Sequence, residues 1–287
     1  MPFYVFAWIA SFAFALVSVI GKLSAKYSIK NPWLFNFLWM FFSLCLTIPL
    51  AITNKVGIPT HWNSLILVAV FNTAFGILYI IGLSLLDISV FMPLLNLRTA
   101  FVAILGALFL GEILQPFQYL LVAFILVSGM IVTIDEKLSI RSFFRWPVAV
   151  AMLCTLSYTL MGIFTKRAIE KNGYWEVTLW MAIISQIFLL PTFFLFKNDI
   201  HKLNLKQIGT VFSMSLALFI GVITEIWAYK DNVVITSIIT SLPISIVLAF
   251  IFSIFAPQLL EKHTLKVYAV RLIAAGTMIF AALKLSY

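Results

Sequence analysis

Residues 56–86 read VGIPTHWNSLILVAVFNTAFGILYIIGLSLL, a run without a single Asp, Glu, Lys or Arg. About 20 mostly apolar residues cross the hydrocarbon core of a bilayer as a helix, so this stretch spans a membrane with residues to spare for an approach loop. The pattern continues in both directions. Further uncharged runs cover Pro2–Gly21, Asn31–Asn54, Ile113–Ile134, Trp146–Thr165, Val177–Phe196, Gln207–Thr224 and Asn232–Leu260. Two more, Val90–Leu110 and Leu265–Leu285, reach bilayer length by accepting Arg98 in the first and Arg271 with Lys284 in the second. Ten helices are predicted, over residues 3–21, 33–53, 63–86, 90–110, 116–134, 146–166, 175–196, 208–229, 234–256 and 265–285. Barrel strands would alternate in polarity over about 10 residues rather than stay apolar throughout. The expected fold class is therefore all-α integral membrane.

Composition carries the same message. Of 287 residues, 63% are hydrophobic and 10% charged, and the mean hydropathy is +1.11. Soluble domains run at about half apolar and about a quarter charged. So few charges cannot cover a water-exposed surface, which excludes a soluble enzyme, a nucleic-acid binder and a disordered chain. The net charge of +9 is read as Lys and Arg holding short loops at phospholipid headgroups. Cys45 and Cys154 both lie inside apolar runs and form neither a disulfide framework nor a metal motif. The N-terminus lacks a basic leader region and nine further spans follow it, so it is not read as a cleavable signal.

An internal repeat organises the ten spans. Lys30-Asn31 followed by Leu38-Trp39-Met40 recurs as Lys171-Asn172 followed by Leu179-Trp180-Met181, and Lys26 and Arg167 fall at the same offset of 141. Pro49 and Pro191 close two apolar runs at nearly that spacing; Leu110-Gly111-Glu112 has a weaker echo in Leu259-Leu260-Glu261, and Gly129 in Gly276. Two tandem halves are expected, a first five-helix repeat over 1–137 and a second over 138–287. Five is odd, so the second half enters the membrane from the opposite side. Such inverted-topology repeats are an arrangement by which secondary transporters alternate access around a site at the repeat interface.

On these residues the chain resembles the drug/metabolite transporter superfamily, EamA type. The resemblance runs over nearly the whole length, through the five-plus-five spans and the segment Ser84–Gly129, where a helix ends in Phe109-Leu110-Gly111-Glu112 and a glycine-containing helix closes the half. The sequence departs from the family pattern in two places. Pro93 sits earlier than the family's fourth-helix proline, with Arg98 close to the expected position, and Leu260 replaces the motif glycine in the second half. The resemblance implies a transporter and lines the central cavity with helices 3, 4, 6 and 9. It leaves the ligand open, from amino acids and nucleobases to nucleotide sugars and cationic drugs.

Charges within spans are functional candidates because they are costly there. Arg98 lies eight residues into helix 4, about 12 Å deep at 1.5 Å per residue. Its guanidinium fork suits a substrate carboxylate or phosphate; the alternative is a structural Arg paired with a backbone carbonyl or with Glu225. Glu225, late in helix 8, binds a substrate ammonium, carries a coupling proton, or pairs at the interface with Lys230 or a headgroup. Helices 4 and 8 run in the same direction, which puts Arg98 and Glu225 roughly 12 Å apart in depth. That offset argues against a direct salt bridge and for the two ends of one zwitterionic ligand, or two separate sites. Tyr79, Asn96, Thr99, Tyr158 and Ser241 join them as substrate-binding candidates on the cavity-lining helices that the resemblance implies; interhelical hydrogen bonding is the other role open to them. Pro93 and Pro243 are candidate hinges, or tolerated helix starts. Arg271 is expected to snorkel to the surface, Glu112 and Glu261 to cap loops, and Lys22 and Lys166 to anchor at the interface.

Enzyme chemistry finds no motif here. His61, His201 and His263 fall in predicted loops, and the chain has no His-Glu-x-x-His and no phosphate-binding Gly-x-x-x-x-Gly-Lys. No cofactor or metal is implied, and transport would run on a gradient such as that of protons, or downhill. Expected partners are a small-molecule substrate and the lipid bilayer, not nucleic acid, and the expected place is the cytoplasmic (inner) cell membrane, crossed many times. Loops after odd-numbered helices hold eleven basic residues (Lys22, Lys26, Lys30, Lys137, Arg141, Arg145, Lys197, Lys202, Lys206, Lys262, Lys266), and the other set holds six (Lys55, Lys166, Arg167, Lys171, Lys230, Lys284). The positive-inside rule would put the richer set in the cytoplasm and both termini outside, whereas the family resemblance puts both termini inside. The expected function is alternating-access export of a small polar metabolite such as an amino acid or a related compound; the rival within the class is a proton-coupled cation or multidrug exporter, and more remotely a membrane enzyme or channel.

Overall fold

The computed structural model describes residues 2–86, 91, 94–133, 146–242, 244, 247–248, 251 and 265–285. The elements are α1 (Phe3–Tyr27), α2 (Pro32–Thr53), α3 (Trp62–Leu85), α4 (Arg98–Leu110), α5 (Pro116–Thr133), α6 (Trp146–Asn172), α7 (Tyr174–Leu189), α8 (Leu205–Tyr229), α9 (Val233–Thr240) and α10 (Leu265–Leu285). A 3₁₀ segment, Leu190–Leu195, extends α7, and a short helical turn, Lys197–Ile200, precedes α8. No strand occurs among the described residues. Six helices (α1, α2, α3, α6, α8, and α7 with its extension) are long and apolar enough to cross a membrane, and α4, α5 and α10 contain shorter apolar stretches.

Several boundaries move from their sequence expectation, each for a local reason. Helices α1 and α6 run past their basic residues to Tyr27 and Asn172, because Lys and Arg are good helix formers and these side chains find partners. Lys22 Nζ donates to the carbonyls of Leu83 (3.2 Å) and Leu86 (2.9 Å) at the end of α3, so it closes a helix terminus. Helix α7 gives way to 3₁₀ geometry at Leu190-Pro191, where proline can supply no N–H to the α-helical ladder. The expected fourth helix is not continuous over 90–110: Asn96 and Leu97 form a turn, and α4 proper starts at Arg98. The expected ninth helix is likewise interrupted, α9 ending at Thr240 with a turn at Ser241. The candidate hinges Pro93 and Pro243 lie outside the described residues, as do Glu261 and the side chain of Arg271.

Small residues decide the tightest pairings. The α1 face toward the interior is Ala7, Ala10, Ser11, Ala13, Ala15, Ser18 and Gly21, which allows backbones to approach closely where lipid supplies no hydrophobic drive between helices. Its main partner is α8. A Cβ at Gly221 of α8 would lie 2.5 Å from the Phe14 ring, and one at Gly21 would meet Met214 and Leu83 at 3.0 and 3.1 Å. Helix α3 packs along α6 to a similar extent, and further pairs are α2 with α7, α4 with α9, and α5 with α10. The contacts of α4 with α6 and of α9 with α1 complete the pattern. Advancing every helix number by five, and returning to the start after ten, maps this set of pairings onto itself.

The repeated Lys-Asn dipeptides do matching work. Asn31 caps α2 by accepting from the amides of Trp33 (3.0 Å) and Leu34 (3.4 Å), with Pro32 in the first turn. Its amide nitrogen also donates to Leu195 O (3.2 Å) and Asp199 Oδ2 (2.8 Å) in the α7–α8 connection. Hydrogen bonds from Lys202 and Asn31 hold the Asp199 carboxyl below the usual carboxylate range. Asn172 ties the end of α6 to the α2–α3 connection, accepting from His61 N (2.9 Å) and donating to His61 O (3.2 Å) and Ser64 Oγ (3.3 Å).

Leu110-Gly111-Glu112 is a second joint. Gly111 adopts the left-handed conformation (φ 68°) that ends α4, a geometry glycine reaches without steric cost. The chain then turns so that Glu112 accepts from Val233 N (3.2 Å) and Val234 N (2.9 Å) at the start of α9, and from Lys166 Nζ (2.7 Å) of α6. A carboxylate on the first turn of a helix meets unpaired amides and the positive end of the dipole. Glu112→Ala is therefore expected to destabilise the fold by about 1–3 kcal/mol, measured as a lower thermal midpoint in detergent, with Glu112→Gln intermediate.

Candidate functional site

Four helices bring their polar side chains to one point. The turn at Asn96-Leu97 delivers Arg98 at the start of α4, and the guanidinium is enclosed by α6, α8 and α9. Arg98 Nη1 donates to Glu225 Oε1 (3.2 Å) and to Thr240 Oγ1 (2.9 Å); Nη2 donates to Ser237 Oγ (3.1 Å) and to the hydroxyl of Tyr229. The guanidinium carbon also lies 3.4 Å from the ring centre of Tyr158, a cation–π contact. Glu225 Oε1 accepts in addition from Tyr158 OH (2.8 Å) and Thr240 Oγ1 (3.0 Å). All three described contacts of that oxygen are donors.

Both charges are 1% exposed. This pair corrects the depth argument, which predicted no direct salt bridge between Arg98 and Glu225. That argument compared backbone positions. On a helix the Cα–Cβ bonds lean toward the N-terminus, so Glu225 and Tyr229 lean from the end of α8 back into the bundle. Arg98 at a helix start is free to extend toward them. Long side chains close the gap that the helix rises leave. A missing side chain on α6 also makes room: a Cβ at Gly162 would lie 2.9 Å from the Tyr229 hydroxyl and 3.5 Å from Arg98 Nη2.

A cavity opens beside the pair, with about 100 Å³ accessible to the centres of water molecules. Helices α1–α4 and α6–α9 contribute to its wall, and among the described residues none from α5 or α10 does. Arg98, Glu225, Tyr79, Tyr158 and Ser241 all line it. Tyr79 shares a hydrogen bond with Ser18 Oγ (3.0 Å) and lies flat on Trp39, ring centres 5.6 Å apart. Asn96 and Thr99 are buried (2% and 0% exposed), but neither belongs to the cavity wall, and the side-chain polar atoms of both have no hydrogen-bond partner.

Sequence reading did not single out Tyr229, Ser237, Thr240 or Trp39 for the site. Spacing carries a signal for three of them. Glu225 and Tyr229 are four apart on α8, and Ser237 and Thr240 are three apart on α9, so each pair shares a helix face. The repeated Met40 and Met181 both line the cavity, whereas the repeated tryptophans part company. Trp39 faces the cavity, and Trp180 donates to Gly57 O (2.9 Å) and packs edge-on against Trp62.

The family model of EamA-like transporters matches residues 1–134. The first half of this chain belongs to the EamA-like transporter family. With its long apolar helices, the protein is a multi-pass membrane protein of the drug/metabolite transporter type. No curated protein matches the sequence. Among solved structures, one described only as the crystal structure of a protein aligns over 98% of this chain and 97% of its own, with a TM-score of 0.72 and 11% identity. At that identity the likeness is one of fold, and it extends through both halves of the chain.

Removing one member of a buried ion pair strands the other in a dry environment, at a cost of about 3–5 kcal/mol, while replacing both with apolar groups is often neutral. Glu225→Ala and Arg98→Ala should each lower the thermal midpoint strongly. The double variant Arg98→Met/Glu225→Leu should unfold closer to wild type than either single variant does.

Proposed function

We propose that this EamA protein is a secondary transporter that moves a small polar metabolite, an amino acid or a related compound, out of the cell by alternating access. Residues 1–137 and 138–287 form the two inverted halves that rock against each other. The observation that carries the reading is the buried Arg98–Glu225 pair on the wall of a cavity, where two helices, α4 and α9, begin or end in mid-bundle. Interrupted helices meeting at a repeat interface are where secondary transporters bind their cargo. Self-mapping helix pairings and the matching roles of Asn31 and Asn172 support the inverted halves.

A zwitterion suits such a pair. Its carboxylate takes over the guanidinium fork of Arg98 while its ammonium replaces that guanidinium at Glu225, so neither protein charge is left unpaired at any stage. Tyr158, Thr240 and Tyr229 then hold the two side chains in place, and Tyr79 and Ser241 complete the wall. A cation exporter is less favoured, because Glu225 already accepts from Arg98, Tyr158 and Thr240.

The test is counterflow in proteoliposomes, in which labelled amino acids accumulate against an excess of the same compound inside. Wild type should show it, and Arg98→Lys and Glu225→Gln, chosen to keep volume and polarity, should lose at least tenfold in rate. A thermal-shift screen is expected to agree, since a ligand that binds only the folded protein stabilises it. Absence of counterflow for every solute, or single-channel currents, would overturn the transporter reading.

A further inference from the structure

The two Lys-Asn dipeptides build the same kind of joint at two places. Asn31 ties the α1–α2 connection to the α7–α8 connection, and Asn172 ties the α6–α7 connection to the α2–α3 connection. Their charges differ. At the first joint, over residues 26–35 and 196–207, Lys26, Lys30, Lys197, Lys202 and Lys206 are all exposed and Asp199 is the only carboxylate. At the second, over 54–62 and 167–176, Lys55, Arg167 and Lys171 stand with Glu170 and Glu176, and Arg167 is taken up by the carbonyl and ring of Phe109. Glu176 lies in the first turn of α7, where a carboxylate offsets the positive end of the helix dipole. Helices α2 and α8 both start at the first joint with no acidic residue in their first turns.

The single carboxylate of the first joint is used up within it. Asp199 Oδ1 accepts from Lys202 (2.8 Å) and Oδ2 from Asn31 (2.8 Å). Lys30, Lys197 and Lys206 have no acidic partner among the described residues. A groove with about 600 Å³ accessible to the centres of water molecules lies here, with Lys30, Asn31, Trp33, Lys202 and Gln207 on its wall. Gln207 Nε2 donates across it to Ser28 O (2.7 Å). Large apolar side chains adjoin the groove and are left uncovered. Leu195, whose carbonyl accepts from Asn31 (3.2 Å), follows Phe194, which is 75% exposed, and Leu205 beside Lys206 is 88% exposed. Cations without counter-ions next to bare apolar side chains, at the ends of helices that cross a bilayer, match a molecule with an anionic head and hydrocarbon chains.

We infer that the groove between the α1–α2 and α7–α8 connections binds an anionic phospholipid, its phosphate held by Lys30 and Lys206 and its chains running past Phe194, Leu195 and Leu205. The matching joint around Asn172 lacks the excess of cations and does not select such a lipid. Inorganic phosphate shares the headgroup chemistry without the chains.

Native mass spectrometry tests this on the full chain, purified in detergent and titrated with phosphatidylglycerol or with phosphatidylcholine of the same chain length. Phosphatidylglycerol should fill the first site about tenfold more tightly than phosphatidylcholine. One lysine near an anionic headgroup contributes about fivefold, so Lys30→Gln/Lys206→Gln should weaken that first binding about twentyfold. Lys55→Gln/Lys171→Gln, at the matching joint, should change it by less than about twofold. All four side chains are exposed, so the lipid-free thermal midpoints of both variants should equal that of wild type. Equal affinity for the two lipids, an unchanged affinity in Lys30→Gln/Lys206→Gln, or an equal loss in both double variants would overturn the inference. Displacement of bound phosphatidylglycerol by the same concentration of inorganic phosphate would assign the groove to a free phosphate and overturn the lipid.

Discussion

A guanidinium buried in an apolar bundle has no water to turn to, and the arrangement around Arg98 follows from that constraint. Its two terminal nitrogens take four acceptors from α8 and α9, and its face rests on a tyrosine of α6. Elements distant in sequence are thereby fastened at one depth, around a residue that opens α4. The costs are local as well. Gly162 has to stay small beneath Tyr229, and α4 and α9 stop or start beside the pair rather than running through. An interrupted helix leaves backbone groups that a continuous one would satisfy, and a bilayer tolerates this only inside protein or beside a cavity. The break, the ion pair and the cavity belong together for that reason.

A second layer of fastening lies toward the ends of the helices. Glu112 joins α4, α6 and α9 through one carboxylate, Asn31 joins α2 to the α7–α8 connection, and Asn172 joins α6 to the α2–α3 connection. These are polar side chains closing helix termini, where amides and carbonyls lack intrahelical partners. The apolar surfaces between them are smooth by comparison. The α1–α8 seam is built from alanine, serine and glycine, a composition that permits close backbone approach. Side-chain anchors at the ends and at the central pair thus set the register of helices whose flanks are simple.

The helical class was legible from the uncharged runs, because backbone in lipid is satisfied only by helices or closed barrels and these runs stay apolar for about 20 residues where barrel strands would alternate. The candidate charges were legible too, since Arg98 and Glu225 interrupt otherwise apolar stretches. Their mutual contact was not. Depth computed from residue counts treats side chains as points on an axis, and Arg, Glu and Tyr reach far from theirs. Trp39 and Trp180 make the same point: equal positions in the repeat, one against the cavity and the other against Trp62. The repeat predicts equivalent backbone places, and the neighbours that each side chain meets differ between the halves.

What the sequence by itself determined is the solvent of this protein and the currency of its site: long uncharged helices for lipid, a duplicated Lys-Asn and Trp-Met signature, and an arginine and a glutamate too deep to be ornamental. These follow from composition and one-dimensional spacing, which the bilayer's thickness and low polarity translate directly into helices. Only the tertiary structure decided that Glu225 Oε1 meets Arg98, Tyr158 and Thr240 at once, that α4 and α9 are interrupted beside them, and that Trp39 and not Trp180 lines the same cavity. Those facts depend on contacts between residues as far as 142 positions apart, and no local pattern encodes which distant side chain will be within reach.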